Sequence, residues 1–473
     1  MTTIAWFRRD LRVRDNPSLI AALDSDEPVI PFFCLDERLL KGRFASGSRT
    51  QFMLEALHDL DDSLRQRGSG LVIRIGEPVA ELIAVAREVD ADTVHASVDA
   101  GPYGRRRDQA AREELEHAGI HLRGHAGLFA IDNLEEMRTG SGGPFKVFTP
   151  FYRSWLATPR RDIARLPRTL PGLPSKLNKG RIPSLDSLGL HSSVTDPMHG
   201  GEEAALKRWR SFRDRALTAY DTGRDDLAGD GSSRMSPYLH FGCISPRQLE
   251  EELPDGVGAE EFRRQLAWRD FYAHVLREFP ANREHEYQTR YRDKIDWRED
   301  EDDFQRWCEG STGYPLVDAG MRQLNAEGWM HNRARLVVGS FLTKELGIDW
   351  RWGERYFMSL LLDGDMPSNN GNWQWIASVG VDPQPVSRRI LSPSRQQEKF
   401  DPTGGYIRRY VPELTNVPDS HIVEPWTMAE ATQRECGCII GETYPEPMVD
   451  RRDARNAALE RYGAAAASAS ATS

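Results

Sequence analysis

Over the first 135 residues, apolar and β-branched side chains gather in five short runs: Thr3–Phe7, Val29–Leu35, Leu71–Ile75, Thr93–Ser97 and Ile120–Arg123. Turn residues bound each run, and this pattern predicts strands. Between the second and third runs, Met53, Leu57, Leu60 and Leu64 recur at helical spacing. That stretch starts after Ser46–Ser48 and stops at Gly68, so it predicts a helix capped at both ends. Asn16-Pro17 reads as the N-cap and first residue of an earlier helix. Strands alternating with helices through short connections predict an α/β domain over residues 1–135, with a parallel, doubly wound sheet covered on both faces.

The texture changes at residue 136. From there to residue 201 prolines recur (Pro144, Pro150, Pro159, Pro167, Pro171, Pro174, Pro183, Pro197) and the periodicity fades, which predicts an interdomain linker without long regular elements. Residues 202–462 read as helical and aromatic, a larger all-α domain that holds ten of the twelve tryptophans. The last stretch, 463–473, is GAAAASASATS, a low-complexity tail expected to be disordered.

Composition narrows the function. With 62 Lys+Arg against 72 Asp+Glu the net charge is −10, so bulk charge cannot hold a polyanion. Contact with nucleic acid then requires a local basic groove. No apolar run approaches the ~20 residues of a membrane span. Arginines occupy the place of a signal-peptide core, so a cytoplasmic protein is expected. Five scattered cysteines (Cys34, Cys243, Cys308, Cys436, Cys438) argue against a disulfide framework. There is no G-x-G-x-x-G after the first strand, no P-loop and no H-E-x-x-H. His117, His121 and His125 share helical spacing, but Gly119 and Gly124 interrupt it and no metal site is expected.

Four segments carry chemistry. In Gly229–His240 (GDGSSRMSPYLH), small residues, hydroxyls and an arginine offer donors around one point, which suits a phosphate, although an ordinary capped turn explains the segment on its own. In Glu261–Tyr272, read as a helix, Gln265, Trp268 and Arg269 share a side: an amide, an indole and a guanidinium that suit a planar heterocycle or a half-buried packing face. In His331–Gly339, Asn332, Arg335 and Leu336 stand at i, i+3 and i+4. In Leu361–Trp375, Asp363 and Asp365 flank a glycine and are placed to accept hydrogen bonds from a cofactor or from Arg335. Asn369 and Asn370 add amides there, and Trp373 and Trp375 read as stacking residues in a loop.

Taken together, these strings resemble the photolyase/cryptochrome family. The likeness runs from WFRRDLRVRDNP through PFKVFTPFYRSW, GDGSSRMSPYLHFG, WRDFYAHVL, GYPLVDAGMRQL, GWMHNRAR and DWRWGERYF to DGDMPSNNGNWQW and QQEKFD. It implies an α/β antenna domain followed by a helical domain that holds FAD in a U shape. Tyr220, Ser232, Ser233, Arg234, Met235 and Ser236 match positions that hold the flavin phosphates. Phe262, Arg269, Asn332, Arg335, Asp363 and Asp365 match others around the cofactor, and Asn369 matches the amide facing flavin N5. Trp297, Trp350 and Trp373 match the tryptophan chain that passes electrons inward to the flavin.

The activity so implied is light-driven splitting of cyclobutane pyrimidine dimers in UV-damaged DNA by an electron from photoexcited FADH⁻, in a protein expected to be monomeric. A blue-light sensor using the same flavin is the alternative. Trp268 and Trp375 match the walls of the pocket for the flipped lesion, and Gln265, Asn332 and Leu336 match positions facing it. Arg224, Arg333, Gln396 and Lys399 match or neighbour positions that contact the DNA backbone. Asn332 points to the cyclobutane-dimer branch, class I. Gln265, where the family has glutamate, and Leu336, where methionine is common, depart from the pattern. FFCLDERLL and AGPYGRRRD resemble the branch with an 8-hydroxy-5-deazaflavin antenna, methenyltetrahydrofolate or no second chromophore being the alternatives. Cys34, Asp36, Arg38, Arg49 and Asp99 are the candidate antenna contacts.

Overall fold

A computed structural model describes residues 2–25, 27–382 and 384–470. Its N-terminal part is a five-stranded parallel sheet, β1 (Thr2–Phe7), β2 (Val29–Asp36), β3 (Val72–Gly76), β4 (Ala91–Ser97) and β5 (His121–His125), in the order β3-β2-β1-β4-β5. Each strand lies within two residues of its expected position. Successive residues of β1 and β2 enter opposite cores. Ala5, Phe7, Phe33 and Leu35 pack on one face, and Ile4, Trp6, Ile30, Phe32 and Cys34 on the other. A sheet buried on both faces is what the near-continuous apolar runs require.

The expected caps are present. Asn16 accepts a hydrogen bond from Leu19 N at the start of α1 (Pro17–Leu23), and Ser46 accepts one from Arg49 N at the start of α2 (Gly47–Arg65). Helices α3 (Pro78–Glu88) and α4 (Pro102–His117) complete the cover. His117 ends α4 whereas His121 and His125 lie on β5, so the three do not share a helix.

Two expectations fail. The supposed linker contains α5 (Phe148–Ala157), whose Phe148, Phe151, Tyr152 and Trp155 are buried. Those residues stand at i, i+3, i+4 and i+7, an amphipathic stripe that the surrounding prolines mask. The supposed disordered tail continues a helix, Arg451–Ser470, which buries Ala465 in the core of the helical domain. Low complexity here is alanine-rich, and alanine is the strongest helix former. Residues 471–473 of that tail lie outside the described residues.

Five helices position the site: α6 (Ser236–Phe241), α7 (Val257–Glu278), α8 (Asn332–Ser340), α9 (Trp350–Leu360) and α10 (Met366–Ile376). A core shared with the sheet runs through Trp155, Trp209, Phe262 and Phe271. Among the described residues, no helix is long and apolar enough to cross a membrane.

Candidate functional site

Every residue proposed above for the flavin lines one cavity of about 270 Å³: Tyr220, Ser232, Ser233, Arg234, Met235, Ser236, Phe262, Arg269, Asn332, Arg335, Asp363, Asp365 and Asn369. Gln265, Leu336 and Trp373 line it too. The Ser232–Arg234 turn is held from behind, where Arg208 donates to Ser232 O (2.7 Å) and Ser233 O (2.9 Å). Arg234 adopts a left-handed φ of 53°, a strained conformation for a non-glycine residue. Its guanidinium sits 4.3 Å from the Trp329 ring and pairs with Glu327 at 2.8 Å.

Elsewhere in the lining Arg335 donates to Asp363 Oδ2 at 2.9 Å, one of the two kinds of partner expected from the sequence. Asp363 Oδ1 is buried without a hydrogen-bond partner, as is Nδ1 of His240, another lining residue. Buried polar atoms are nearly always hydrogen-bonded, so these two call for groups supplied by a ligand. Asn369 donates through Nδ2 to Glu354 O (3.0 Å), which leaves its Oδ1 as an acceptor. Acceptors on one side and a serine- and arginine-rich turn on the other fit a molecule with a planar N–H-bearing heterocycle and phosphates, and FAD is such a molecule.

Asp365 was expected as a cofactor acceptor, but Arg9, 356 residues away, donates to its Oδ1 at 2.6 Å. Burial pushes this carboxyl up, yet Arg9, with His240 and Arg269 adding to it, outweighs that cost and holds Asp365 well below the usual carboxylate range. Arg9 also reaches His240 O at 3.1 Å and approaches Asp99 at 3.9 Å. Sequence reasoning missed Arg9 and His240, although both lie inside quoted motifs, because their contacts are remote in sequence.

The two stacking pairs expected from the sequence resolve differently. Trp373 and Trp375 lie on helix α10, not in a loop, so their side chains point about 200° apart. Trp373 enters the cavity, whereas Trp375 lies under the Arg389 guanidinium at 4.2 Å and is absent from the lining. Trp268 is also absent from the lining. It stacks on Phe148 of the unexpected helix α5, with centroids 3.7 Å apart.

The tryptophans of the presumed electron chain are graded in burial: Trp373 and Trp350 are buried and Trp297 is half-buried. Their segments touch. Gly353 on the Trp350 helix abuts the Trp373 ring, and Arg298, next to Trp297, donates through its backbone N to Gly347 O at 2.8 Å.

At the rim, Gln265 and Asn332 are exposed and Leu336 is half-buried. Arg224 pairs with Glu261 (2.6 Å) and Arg333 with Asp225 (2.7 Å), while Lys399 is exposed beside half-buried Gln396.

A second cavity of about 320 Å³ gathers all five antenna candidates, Cys34, Asp36, Arg38, Arg49 and Asp99. It lies at the carboxyl ends of β1, β2 and β4, where the strand order reverses, the usual ligand crevice of an open α/β sheet. Tyr103 donates to Asp36, and Asp99 accepts from Gly101 N at 2.9 Å. A side chain at Gly104 would strike Asp99 at 2.4 Å. Arg49 is already committed, donating to Met358 O (2.7 Å) and Leu361 O (3.0 Å) across the domain boundary. Burial pushes the Cys34 thiol up to about 12, so it contributes bulk and not a thiolate.

A doubly wound sheet with a crevice at its switch point, joined to a helical domain whose cavity gathers every flavin-matched residue, is the architecture of a flavin-binding protein with a second ligand crevice. Comparison with known proteins agrees. Residues 3–171 match the DNA photolyase family model, and residues 262–464 match the FAD binding domain of DNA photolyase. The deoxyribodipyrimidine photo-lyase of Streptomyces griseus is 41% identical over 455 residues, covering 96% of this chain and 97% of that protein. The crystal structure of a bacterial class III photolyase from Agrobacterium tumefaciens superposes with a TM-score of 0.92 at 36% identity, covering 98% of this chain and 97% of that one. An archaeal photolyase from Sulfolobus tokodaii, solved with two FAD molecules, superposes with a TM-score of 0.83 at 34% identity, covering 98% and 100%. The chain belongs to the DNA photolyase family.

Proposed function

We propose that the protein repairs cyclobutane pyrimidine dimers in UV-damaged DNA, using blue light, as a cytoplasmic monomer. The observation that carries this reading is the convergence of every flavin-matched residue on one cavity that retains an unpartnered, buried acceptor, Asp363 Oδ1. When bound and reduced, FAD supplies the photoexcited electron that opens the cyclobutane ring and takes it back afterwards.

The chain's own residues bind, orient and connect. The Ser232–Ser236 turn with Arg234 would hold the phosphates, Asp363, oriented by Arg335, would accept a ring N–H, and Asn369 would offer its amide oxygen to the ring. Trp297, Trp350 and Trp373 carry electrons from the surface to the oxidised cofactor. Gln265, Asn332 and Leu336 at the rim meet the flipped lesion, with Trp268 and Trp375 forming outer walls. Arg224, Arg333, Gln396 and Lys399 face the strand. A dimer stacks poorly, which lowers the flipping cost of a few kcal/mol.

We assign the second cavity to a light-harvesting chromophore, 8-hydroxy-5-deazaflavin, making this a class I enzyme of the deazaflavin-antenna type. The support is the heteroaromatic-sized crevice beside Tyr103 with Asp36, Arg38 and Asp99 around it. The visible spectrum of the purified protein tests this, since deazaflavin, folate and flavin absorb differently. For repair, the protein is illuminated with a dimer-containing oligonucleotide, and restored ultraviolet absorbance of the thymines is the expected result. Binding without restoration would sink the repair reading and favour the light-sensor alternative.

A further inference from the structure

We infer that His240 is a positioning residue shared by the two cofactor cavities, through which the flavin and the second chromophore sense one another. This rests on the reading of both cavities given above. Among the described residues, His240 and Asp365 are the two that line both cavities, so at this point one layer of side chains separates them.

The two members of that layer differ in how far they are committed. Asp365 is the more committed: Oδ1 accepts from Arg9 at 2.6 Å, and Oδ2 accepts from Ser368 N at 3.3 Å and Ser368 Oγ at 2.8 Å. His240 is fixed in place, its carbonyl bonded to Arg9 Nε at 3.1 Å and its ring edge-on to Phe241 at 4.5 Å. Yet Nδ1 is buried with no hydrogen-bond partner, 3.8 Å from Asp365 Oδ1. A rigidly placed imidazole with an uncommitted nitrogen is poised to serve a ligand.

Its chemistry links the two sides. A neutral imidazole offers one N–H and one lone pair, so a bond made on one side fixes what the ring presents on the other. The charged groups facing it are Asp365, Arg9 and Arg49, and burial holds it neutral, with its pKa lowered to about 4. A negative charge added to the flavin cavity on reduction favours presenting the N–H to that side, and the second cavity then faces the lone pair. Because coupling is reciprocal, whatever changes chromophore affinity on reduction changes the flavin's reduction potential by the same free energy when the chromophore binds.

The test uses the flavin-loaded protein with 8-hydroxy-5-deazaflavin as the probe. The probe's dissociation constant is measured against the oxidised and the reduced protein, and the flavin midpoint potential is measured with and without saturating probe. Binding at least fivefold tighter to the reduced form is expected, equivalent to a potential shift of about 20 mV for a two-electron couple. In His240→Leu the ratio should fall to one. His240→Asn, which keeps a polar atom near the Nδ1 position, should retain most of it and carries the test if the leucine variant loses its flavin. Equal affinities in the wild type, or an unchanged ratio in both variants, overturns the inference while leaving both cavities assigned. Failure of the probe to bind in either redox state overturns the deazaflavin assignment, and the inference with it.

Discussion

Gly353 and Trp373 leave no room for a methyl group between them: a Cβ at Gly353 would stand 2.1 Å from Trp373 Cη2. Helix α9 therefore sets the position of the indole that lines the flavin cavity. Gly353→Ala must push that ring toward the cofactor or distort the helix, and overpacking of this kind costs ~1–3 kcal/mol. A lower thermal midpoint and a reduced flavin content per purified protein, read from visible absorbance, are expected. A variant with wild-type flavin content and stability would show that the close approach has no consequence for the site.

Trp350 makes a separable contribution. Its indole N–H donates to Glu286 Oε1 at 3.3 Å, while Oε2 of the same carboxylate pairs with Arg351 at 2.8 Å. Trp350→Phe removes the first bond, made to a carboxylate, and keeps the second, so a loss of ~1.5–3 kcal/mol is expected. Photoreduction of the oxidised flavin under illumination with an external reductant should be blocked. Dimer repair by chemically reduced protein should be nearly intact. Equal photoreduction rates in variant and wild type would remove Trp350 from the electron chain.

These two expectations show what the chain makes legible and what it hides. Strand positions and the Asn16 and Ser46 caps are local properties, and the structure reproduces them. The Arg335–Asp363 pair is one of the alternatives the sequence offers, which leaves Asp363 and Asp365 to face either Arg335 or a cofactor. The errors came from neighbours that the sequence does not place. Trp268 shares helix α7 with Gln265, as its spacing predicts, but only the fold shows that α5 offers it Phe148 to stack on. The prolines around α5 hid that helix, and composition hid the terminal one. Arg9 belongs to the loop after β1 and Asp365 to the cap of α10, and only the assembled molecule brings them together.

Gln265 is the departure from the family pattern with the clearest consequence. It is exposed at the cavity rim, tied only by a 3.4 Å bond from Nε2 to Glu261 O, and therefore free to meet a lesion. A neutral amide forms ordinary hydrogen bonds, ~0.5–1.5 kcal/mol each, whereas bonds to a charged partner reach ~1.5–3 kcal/mol. Gln265→Glu is expected to tighten binding of a dimer-containing oligonucleotide about tenfold at neutral pH. The gain should disappear as pH falls through the carboxylate range, while flavin content stays unchanged. Competition binding across that range checks it, and unchanged affinity would mean that Gln265 does not face the lesion.

Glu354 sits on α9 directly behind the proposed flavin amide, its carbonyl accepting from Asn369 Nδ2. The side chain is buried and Oε1 has no partner. Burial pushes its carboxyl up from 4.5 to about 7. A carboxyl raised in the folded state binds a proton that the unfolded chain has already released, so stability falls as pH climbs between the two values. The slope is at most ~1.4 kcal/mol per pH unit and flattens once the folded-state group has ionised. Glu354→Gln removes the titration and keeps the shape. Its stability relative to wild type should therefore rise from pH 5 to about 7 and level off above that, as measured by urea denaturation at constant ionic strength. Parallel pH profiles would show that Glu354 is already ionised in the folded protein, and the carboxylate behind Asn369 would then be a permanent charge beside the flavin ring.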